Sequence, residues 1–527
     1  MDESAEKGFE EEIIGKNELR DKTNGIIYGG GYLLGVVALD NLLMSKDRFE
    51  IKYFFVSGRR IKSLAFLPGD SFPSLSDICP SAKLYEREIA DMFGIMPLNH
   101  PDLKPLMLFP ENWDAAVHPL RKDYGGVKCI GPDFKRYGEY KYKKVYGDGI
   151  FEVPVGPIHA GIIESGHFRF SLRGEPILQL EIRHFWKHRG VEKLCEGKSL
   201  SEALKIVSRI SGDNSVNITL AYLTAAERIL GINVPQKVKH IRVIFAELER
   251  LWNNVRDIGF IFMDIGFNLW AQNLFVVLED ILRMNKSVTS HRYMFDIFRI
   301  GGISDTAYID GAKAGDIAGL LEKVKDELKK AEKIVLNSPS VTDRIELAGK
   351  INKKTAQELS LCGVCARASG LKRDTRIEIP YLLYGENIKI EPAAFEEGDV
   401  FARTRMRIKD AFESIKIITS LCRSLPGLLP EAETAADKEA ADAASNTIAA
   451  GIFRAGGREA IGNAETSRGN AFFYISTDGE GKIYRLKYID PSFRNWPAIQ
   501  YGILGDIIAD FPLVNKSMNL SYAGNDL

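Results

Sequence analysis

The sequence predicts an α+β chain in which a small N-terminal α+β domain precedes a larger, mainly helical one. Three observations carry that expectation. At 527 residues the chain is too long for one core and calls for roughly two to four domains. A strand-like run, residues 51–56, is followed by helical spacing of apolar residues around 84–93. Beyond residue 151, apolar residues recur at helical spacing over 207–230, 238–257 and 317–335.

Taken in order, residues 1–24 read as an acidic tail without the apolar run of a signal peptide. Residues 25–127 form the first domain, ending in a long Pro- and Gly-punctuated loop through Tyr124. Residues 128–150, rich in Lys, Tyr and Gly, read as a linker. The second domain spans 151–527. Its most apolar stretch, 258–282, is interrupted by Asp264, Asn268, Gln272 and Asn273, so it predicts one or two buried helices and no membrane anchor. An Ala- and acid-rich insertion covers about 428–450, and composition leaves open whether it is a surface helix or a loose segment. Residues 472–476 and 483–488 read as a hairpin around Asp478-Gly-Glu-Gly. A helix near 496–508 and an irregular tail close the chain.

Charge balance narrows the partners. Against 70 Lys+Arg stand 71 Asp+Glu, which gives no basis for nucleic-acid binding. The basic run 183–189 reads as a solvated face. Six cysteines without regular spacing do not make a secreted disulfide framework, so a reduced, cytoplasmic chain is expected.

Two blocks carry a resemblance. The first is Tyr85-Glu-Arg-Glu-Ile-Ala-Asp-Met-Phe-Gly-Ile95 with His100-Pro-Asp-Leu103 and His118-Pro-Leu-Arg-Lys-Asp-Tyr124. It resembles the 30-kDa subunit of respiratory complex I, and its alternating acids and bases suit an ion-pair network that positions a loop. The second block joins 155–170, 185–194 and 241–250 with Arg299-Ile-Gly-Gly302, Ala366-Arg-Ala-Ser-Gly370 and Asp510-Phe-Pro-Leu-Val-Asn-Lys516. It resembles the 49-kDa complex I subunit and, more closely, the large subunit of membrane-bound group 4 nickel–iron hydrogenases. Fusion of the two modules is the arrangement of formate hydrogenlyase and hydrogenase-4 large subunits.

The resemblance also locates what is missing. A nickel–iron site needs four thiolates from two Cys-x-x-Cys pairs, because soft sulfur ligands suit these metals. The matching positions hold Ser211 and Asn214, then Ser521 and Gly524. Neutral hydroxyl and amide groups bind such a metal too weakly, and glycine offers no side-chain ligand, so Ni–Fe is not expected. In complex I a quinone sits in the same place, held by a His and a Tyr. Here Ile163 stands at the His position and Gly212 at about the Tyr position, leaving His159 as a weak quinone-site candidate.

Glu164 resembles the glutamate that relays protons in hydrogenases, and a half-buried carboxyl beside a cavity can hold its proton near neutrality. The competing reading pairs it with Arg169 or Arg209. His167, Arg209, Asp213 and Asp526 are the further cavity-lining candidates, with surface exposure of Asp526 as the alternative. His167 and His188 also read as core hydrogen bonders. Cys362-Gly-Val-Cys365 has no partner pair at zinc spacing and reads as structural.

What the resemblance implies is a soluble subunit of a complex I-like or hydrogenase-4-like oxidoreductase, peripheral on the cytoplasmic side of the cell membrane. It would bind no cofactor itself. A [4Fe–4S] cluster is expected in a partner iron–sulfur small subunit, with antiporter-like membrane subunits alongside. Electron transfer, NAD(P)H- or ferredoxin-linked and with quinone or another acceptor, would be coupled to ion translocation. A non-catalytic scaffold is the rival reading, and an active nickel–iron hydrogenase is disfavoured by the four replacements.

Overall fold

The computed structural model describes residues 6–44, 47–110, 113–126, 140–160, 163–307, 309–425 and 455–527. The Ala-rich stretch 428–450 and residues 128–139 of the expected linker lie outside the described residues.

The first domain is built on a four-stranded sheet in the order β1-β4-β3-β2. Its strands are β1 (Glu10–Ile13), β2 (Tyr32–Asp40), β3 (Phe49–Ser57) and β4 (Arg60–Phe66). β1 runs parallel to β4, and the other pairs are antiparallel. Part of the expected acidic tail is therefore an edge strand, followed by helix α1 (Leu19–Tyr28). Its acids have partners: Glu11 takes Lys52 Nζ at 2.6 Å and Glu10 takes Arg60 at 2.5 Å. Charge along an edge is one way a sheet avoids pairing with other chains.

Helix α2 (Lys83–Phe93) buries Tyr85, Ile89, Met92 and Phe93 on one face. Part of the expected ion pairing of the 85–124 block is present, with Asp102 on Lys83 at 3.1 Å, Asp123 on Arg48 at 2.5 Å and Lys122 on Glu196 at 2.9 Å, while other acids and bases bind backbone. Asp91 accepts from the amides of Leu106 and Met107 at 2.6 and 2.9 Å. Arg87 donates to the carbonyls of Lys104 and Pro105 at 2.7 and 2.9 Å. Buried Glu86 accepts from Tyr53 Oη and the Leu75 amide at 3.0 and 2.7 Å. The loop is held through its own main chain, which otherwise has no ladder to join. A two-stranded parallel pair, β5 (Ser71–Pro73) with β6 (Met96–Leu98), flanks it.

The second domain opens with the antiparallel strands β7 (Ile150–Val155), β8 (His167–Arg173) and β9 (Ile177–Arg183). Helices α3 (Val191–Cys195), α4 (Leu200–Val207), α5 (Ser215–Leu230), α6 (Gln236–Asp264) and α7 (Asn268–Thr289) follow. The single helix expected over 207–230 is broken at residues 208–214, where Gly212, Asp213 and Asn214 end the apolar spacing. After a short pair, β10 (Phe298–Arg299) and β11 (Gly302–Ile303), come α8 (Gly311–Asn337) and α9 (Val400–Ser424). α6 packs along both α7 and α9 and forms the spine of the domain. No described helix is long and apolar enough to cross a membrane.

The expected hairpin is present as β13 (Gly469–Thr477) and β14 (Ile483–Ile489), with β12 (Glu459–Thr466) added on its other side. The helix expected near 496–508 is present as α10 (Pro491–Gly502), whereas the tail expected to be irregular is helical, with α11 (Phe511–Met518) and α12 (Tyr522–Asp526). This last sheet welds the two domains together. Ile461, Phe472, Tyr474, Ile489 and Phe493 join the core of the first domain, with Phe54 and Phe472 ring centroids 5.3 Å apart. Gly35 of β2 lets Ile489 approach so closely that a Cβ would overlap its side chain.

Candidate functional site

Two distant stretches of chain, 211–213 and 519–523, meet at one cleft of about 330 Å³. The first is fixed from below by α6. Glu249, Asn253 and Arg256 lie on one face of that helix, at successive turns, and all reach it. Glu249 accepts from the amides of Val216 and Asn217 at 2.7 and 2.8 Å, satisfying the start of α5 where Asn214 makes no side-chain cap. Asn253 donates to the Asp213 carbonyl at 2.7 Å. Arg256 reaches the Asp213 carboxylate at 3.0 Å.

The second stretch turns at Asn519, in the left-handed region, and starts α12 at Ser521, whose Oγ accepts from the Gly524 amide at 2.9 Å. Ser211 Oγ and Ser521 Oγ then lie 3.1 Å apart. The positions matching the two cysteine pairs thus converge, while Asn214 turns away to accept from Ser467 Oγ at 3.5 Å.

The residues present do not fit a nickel–iron group. Hydroxyls and an amide are hard, neutral donors, and the fourth position is closed. A Cβ on Gly524 would overlap Asp490 Oδ2. That carboxylate is itself fixed by Tyr488 Oη and the Ser492 amide, each at 2.8 Å. Among the described residues no three His, Cys, Asp or Glu side chains gather as a metal-binding group.

Asp213 borders the cleft but is fully engaged. Arg468 Nη2 and Arg256 Nη1 pair with it at 2.5 and 3.0 Å, and Ser211 Oγ donates to it at 2.8 Å. Burial opposes its charge, but the two guanidiniums prevail and hold its carboxyl well below the usual range. Glu164, on the same cleft, accepts from the Ala523 amide at 3.0 Å. The arginines expected to neutralise it are elsewhere: Arg169 pairs with Glu152 at 3.0 Å, and Arg209 with Asp296.

The remaining candidates fall outside the cleft. Asp526 is buried, not exposed, and lines a separate, mainly apolar cavity of about 70 Å³ together with His188. Its carboxylate accepts from the Lys187 amide at 2.9 Å, and burial raises its pKa. His188 Nδ1 meets the Asp526 carbonyl at 2.7 Å. His167 Nδ1 meets the Gly156 carbonyl at 3.2 Å, and burial lowers its pKa. His159 Nε2 meets the Gly166 carbonyl at 2.7 Å and closes its own loop. Arg209 is half exposed. Ile163 and Gly212 do line the cleft, so the places of the quinone-holding His and Tyr carry no polar side chain. Cys362 and Cys365 are buried free thiols, and burial pushes Cys365 up to about 11.

Sequence reasoning assigned no role to Arg256, Arg468, Asp490, Glu249 or Lys516. The polar residues at 249, 253 and 256, spaced by four and three in an apolar helix, were the available signal for the first part of this set. Nothing local marks Arg468 or Asp490, which arrive from the last sheet.

The family described as respiratory-chain NADH dehydrogenase, 49 Kd subunit, matches residues 264–526, and the 30 Kd subunit family matches residues 17–128. The chain is a fusion of complex I 30-kDa-type and 49-kDa-type domains. This fused chain is 29% identical to formate hydrogenlyase subunit 5 of Escherichia coli over 86% of its own length and 77% of that protein's. It is 27% identical to hydrogenase-4 component G of the same organism, over 88% and 78% of the two lengths. An NADH-quinone oxidoreductase subunit of Azotobacter vinelandii is also 27% identical, over 91% and 85%. A chain of an archaeal membrane-bound sulfane sulfur reductase shares the fold, with a TM-score of 0.63 and 24% identity over 72% of this chain and all of that one.

Proposed function

We propose that the chain is the acceptor-site subunit of a complex I-like or hydrogenase-4-like respiratory membrane complex that works without a nickel–iron centre. The observation that carries this reading is the cleft itself. Its walls still converge, with Ser211 Oγ 3.1 Å from Ser521 Oγ, while the soft ligands are absent and Glu164 remains on the wall. The relatives' names supply hydrogenase and NADH–quinone chemistry, and the reading extends this to electron transfer linked to NAD(P)H or ferredoxin, with a quinone or another acceptor, coupled to ion movement. Electrons would come from a [4Fe–4S] cluster in an iron–sulfur partner, and antiporter-like subunits would form the membrane part. The chain would sit on the cytoplasmic face.

In such a site the chain's own residues bind the acceptor and exclude water, and Glu164 carries protons to it. Quinone reduction consumes two electrons and two protons, and Glu164 is placed to deliver one of the protons. Purified complex given reduced ferredoxin or NADH and a quinone tests this. Glu164→Gln should lower electron transfer by about 100-fold with little change in thermal unfolding. Transfer and ion movement unchanged in the variant would overturn the role of Glu164.

A scaffold without chemistry is the second reading. The saturation of Asp213 by Arg256, Arg468 and Ser211 favours it, since that acid is spent on structure. Wild-type complex that passes electrons to no acceptor would decide for the scaffold.

A further inference from the structure

Five charged side chains line the cleft: Arg256, Arg468, Lys516, Asp213 and Glu164. Three cations against two acids leave a positive excess, and the charges are not equally engaged. Both arginines are committed to Asp213, and Arg256 also reaches Asp257 at 3.0 Å. Lys516 on α11 is different. Among the described residues its ammonium makes no hydrogen bond or ion pair, and it rests 4.5 Å from the Phe260 ring centroid.

The surroundings of that ammonium favour an incoming anion. Burial lowers its pKa, Asp264 and Asp257 partly offset this, and Arg256 adds to the lowering. A partly desolvated cation attracts an anion more strongly than a hydrated one. Beside it, Phe260, Leu520 and Ile163 give the cleft an apolar portion.

We propose that the cleft binds a small organic anion, with its negative group on Lys516 Nζ and its apolar part against Phe260 and Leu520. This deepens the acceptor-site reading by naming the charge class of the molecule. It is tested by binding alone, so its failure is separate from a failure of electron transfer. A volume of about 330 Å³ accommodates a molecule of benzoate size.

The test is calorimetric titration of the purified complex containing the full chain, with benzoate as the probe and benzamide as the uncharged control. Benzoate is expected to bind at least tenfold more tightly than benzamide. Lys516→Met should weaken that anion at least tenfold and leave benzamide unchanged, while Lys516→Arg should restore binding to within about threefold. Thermal unfolding of each variant separates lost binding from lost fold. Absence of benzoate binding to the wild type, or equal binding by a folded Lys516→Met protein, would overturn the proposal. If an anion binds as described but the complex passes electrons to no acceptor, the anion site stands and the acceptor reading falls.

Discussion

The floor and the rim of the cleft each carry an acid, and the two are treated in opposite ways. On the floor, Asp213 pairs with two guanidiniums and a hydroxyl while its backbone carbonyl takes Asn253. On the rim, Glu164 takes one backbone amide, and the Lys516 ammonium has, among the described residues, no acid in contact. A buried charge left without partners costs several kcal/mol, so a saturated acid is committed to folding. An acid with one partner keeps capacity for a proton or a ligand. Ser211 and Ser521, at positions expected for metal ligands, belong to the floor, bonded to each other and, through Ser211, to Asp213.

The most severe way to break this contrast is at the floor. Asp213→Asn would leave Arg256 and Arg468 facing a neutral amide and should cost about 3 kcal/mol of unfolding free energy. Denaturant unfolding of the two proteins measures it. The pH dependence has a definite sign. Folding depresses the Asp213 carboxyl below its unfolded value near 4, so its stabilisation is complete above about pH 4 and is lost as pH falls further. The gap between wild type and variant should therefore close in acid. A constant gap down to pH 2 would show that packing, not charge, was lost.

The next effect concerns the closed fourth position. Replacing Ser211, Asn214, Ser521 and Gly524 all by cysteine restores four thiols but drives a Cβ at 524 into Asp490 Oδ2. Overpacking of this kind costs about 2 kcal/mol, and nickel should stay at trace levels even in cells equipped to mature hydrogenases. Stoichiometric nickel in the fourfold variant would show that Asp490 yields and that the missing thiols alone account for the loss of the metal site.

How much of this was legible in the sequence depends on the range of the interaction. The hairpin around Asp478 and helices α2, α6 and α8 were visible because local spacing determines them. The break at 208–214 and the helices after Asp510 were hidden, because the former is set by Glu249 from another helix and the latter are shorter than a clear apolar period. Within the site, Ser211 and Ser521 could be placed together only through the resemblance, since 310 residues separate them. Asp526 went to the wrong cavity because α12 turns its last residues away from the cleft, sending Tyr522 and Ala523 to one side and Gly524 to Leu527 to the other.

A smaller effect is expected one layer below the floor. Burial pushes the Glu249 carboxyl up to about 8, against bonds from Asn217 and Val216 that lower it. In the unfolded chain it ionises near 4.3. Between those values the folded protein binds the extra proton, so stability should fall as pH rises from about 5 to 8, by at least about 1 kcal/mol. Glu249→Gln removes the titrating group while keeping an acceptor oxygen for one of the two backbone amides, and should flatten that fall. A slope unchanged in the variant would assign the proton to another buried acid.

The smallest effect tests where the site ends. Arg209 immediately precedes the loop that carries Ser211 and Asp213, so proximity in sequence recommends it as a cleft residue. In the fold its side chain turns outward to Asp296, and both side chains are about half exposed, at 47% and 54%. An exposed pair is screened by water and salt and contributes about 0.5 kcal/mol. Arg209→Ala should therefore shift unfolding by no more than that, with the shift fading in high salt. Electron transfer should not change, because Glu164 has no contact with this guanidinium. A loss of transfer in this variant approaching that of Glu164→Gln would extend the rim to Arg209 and would show that the open chemistry includes the outer face of the loop.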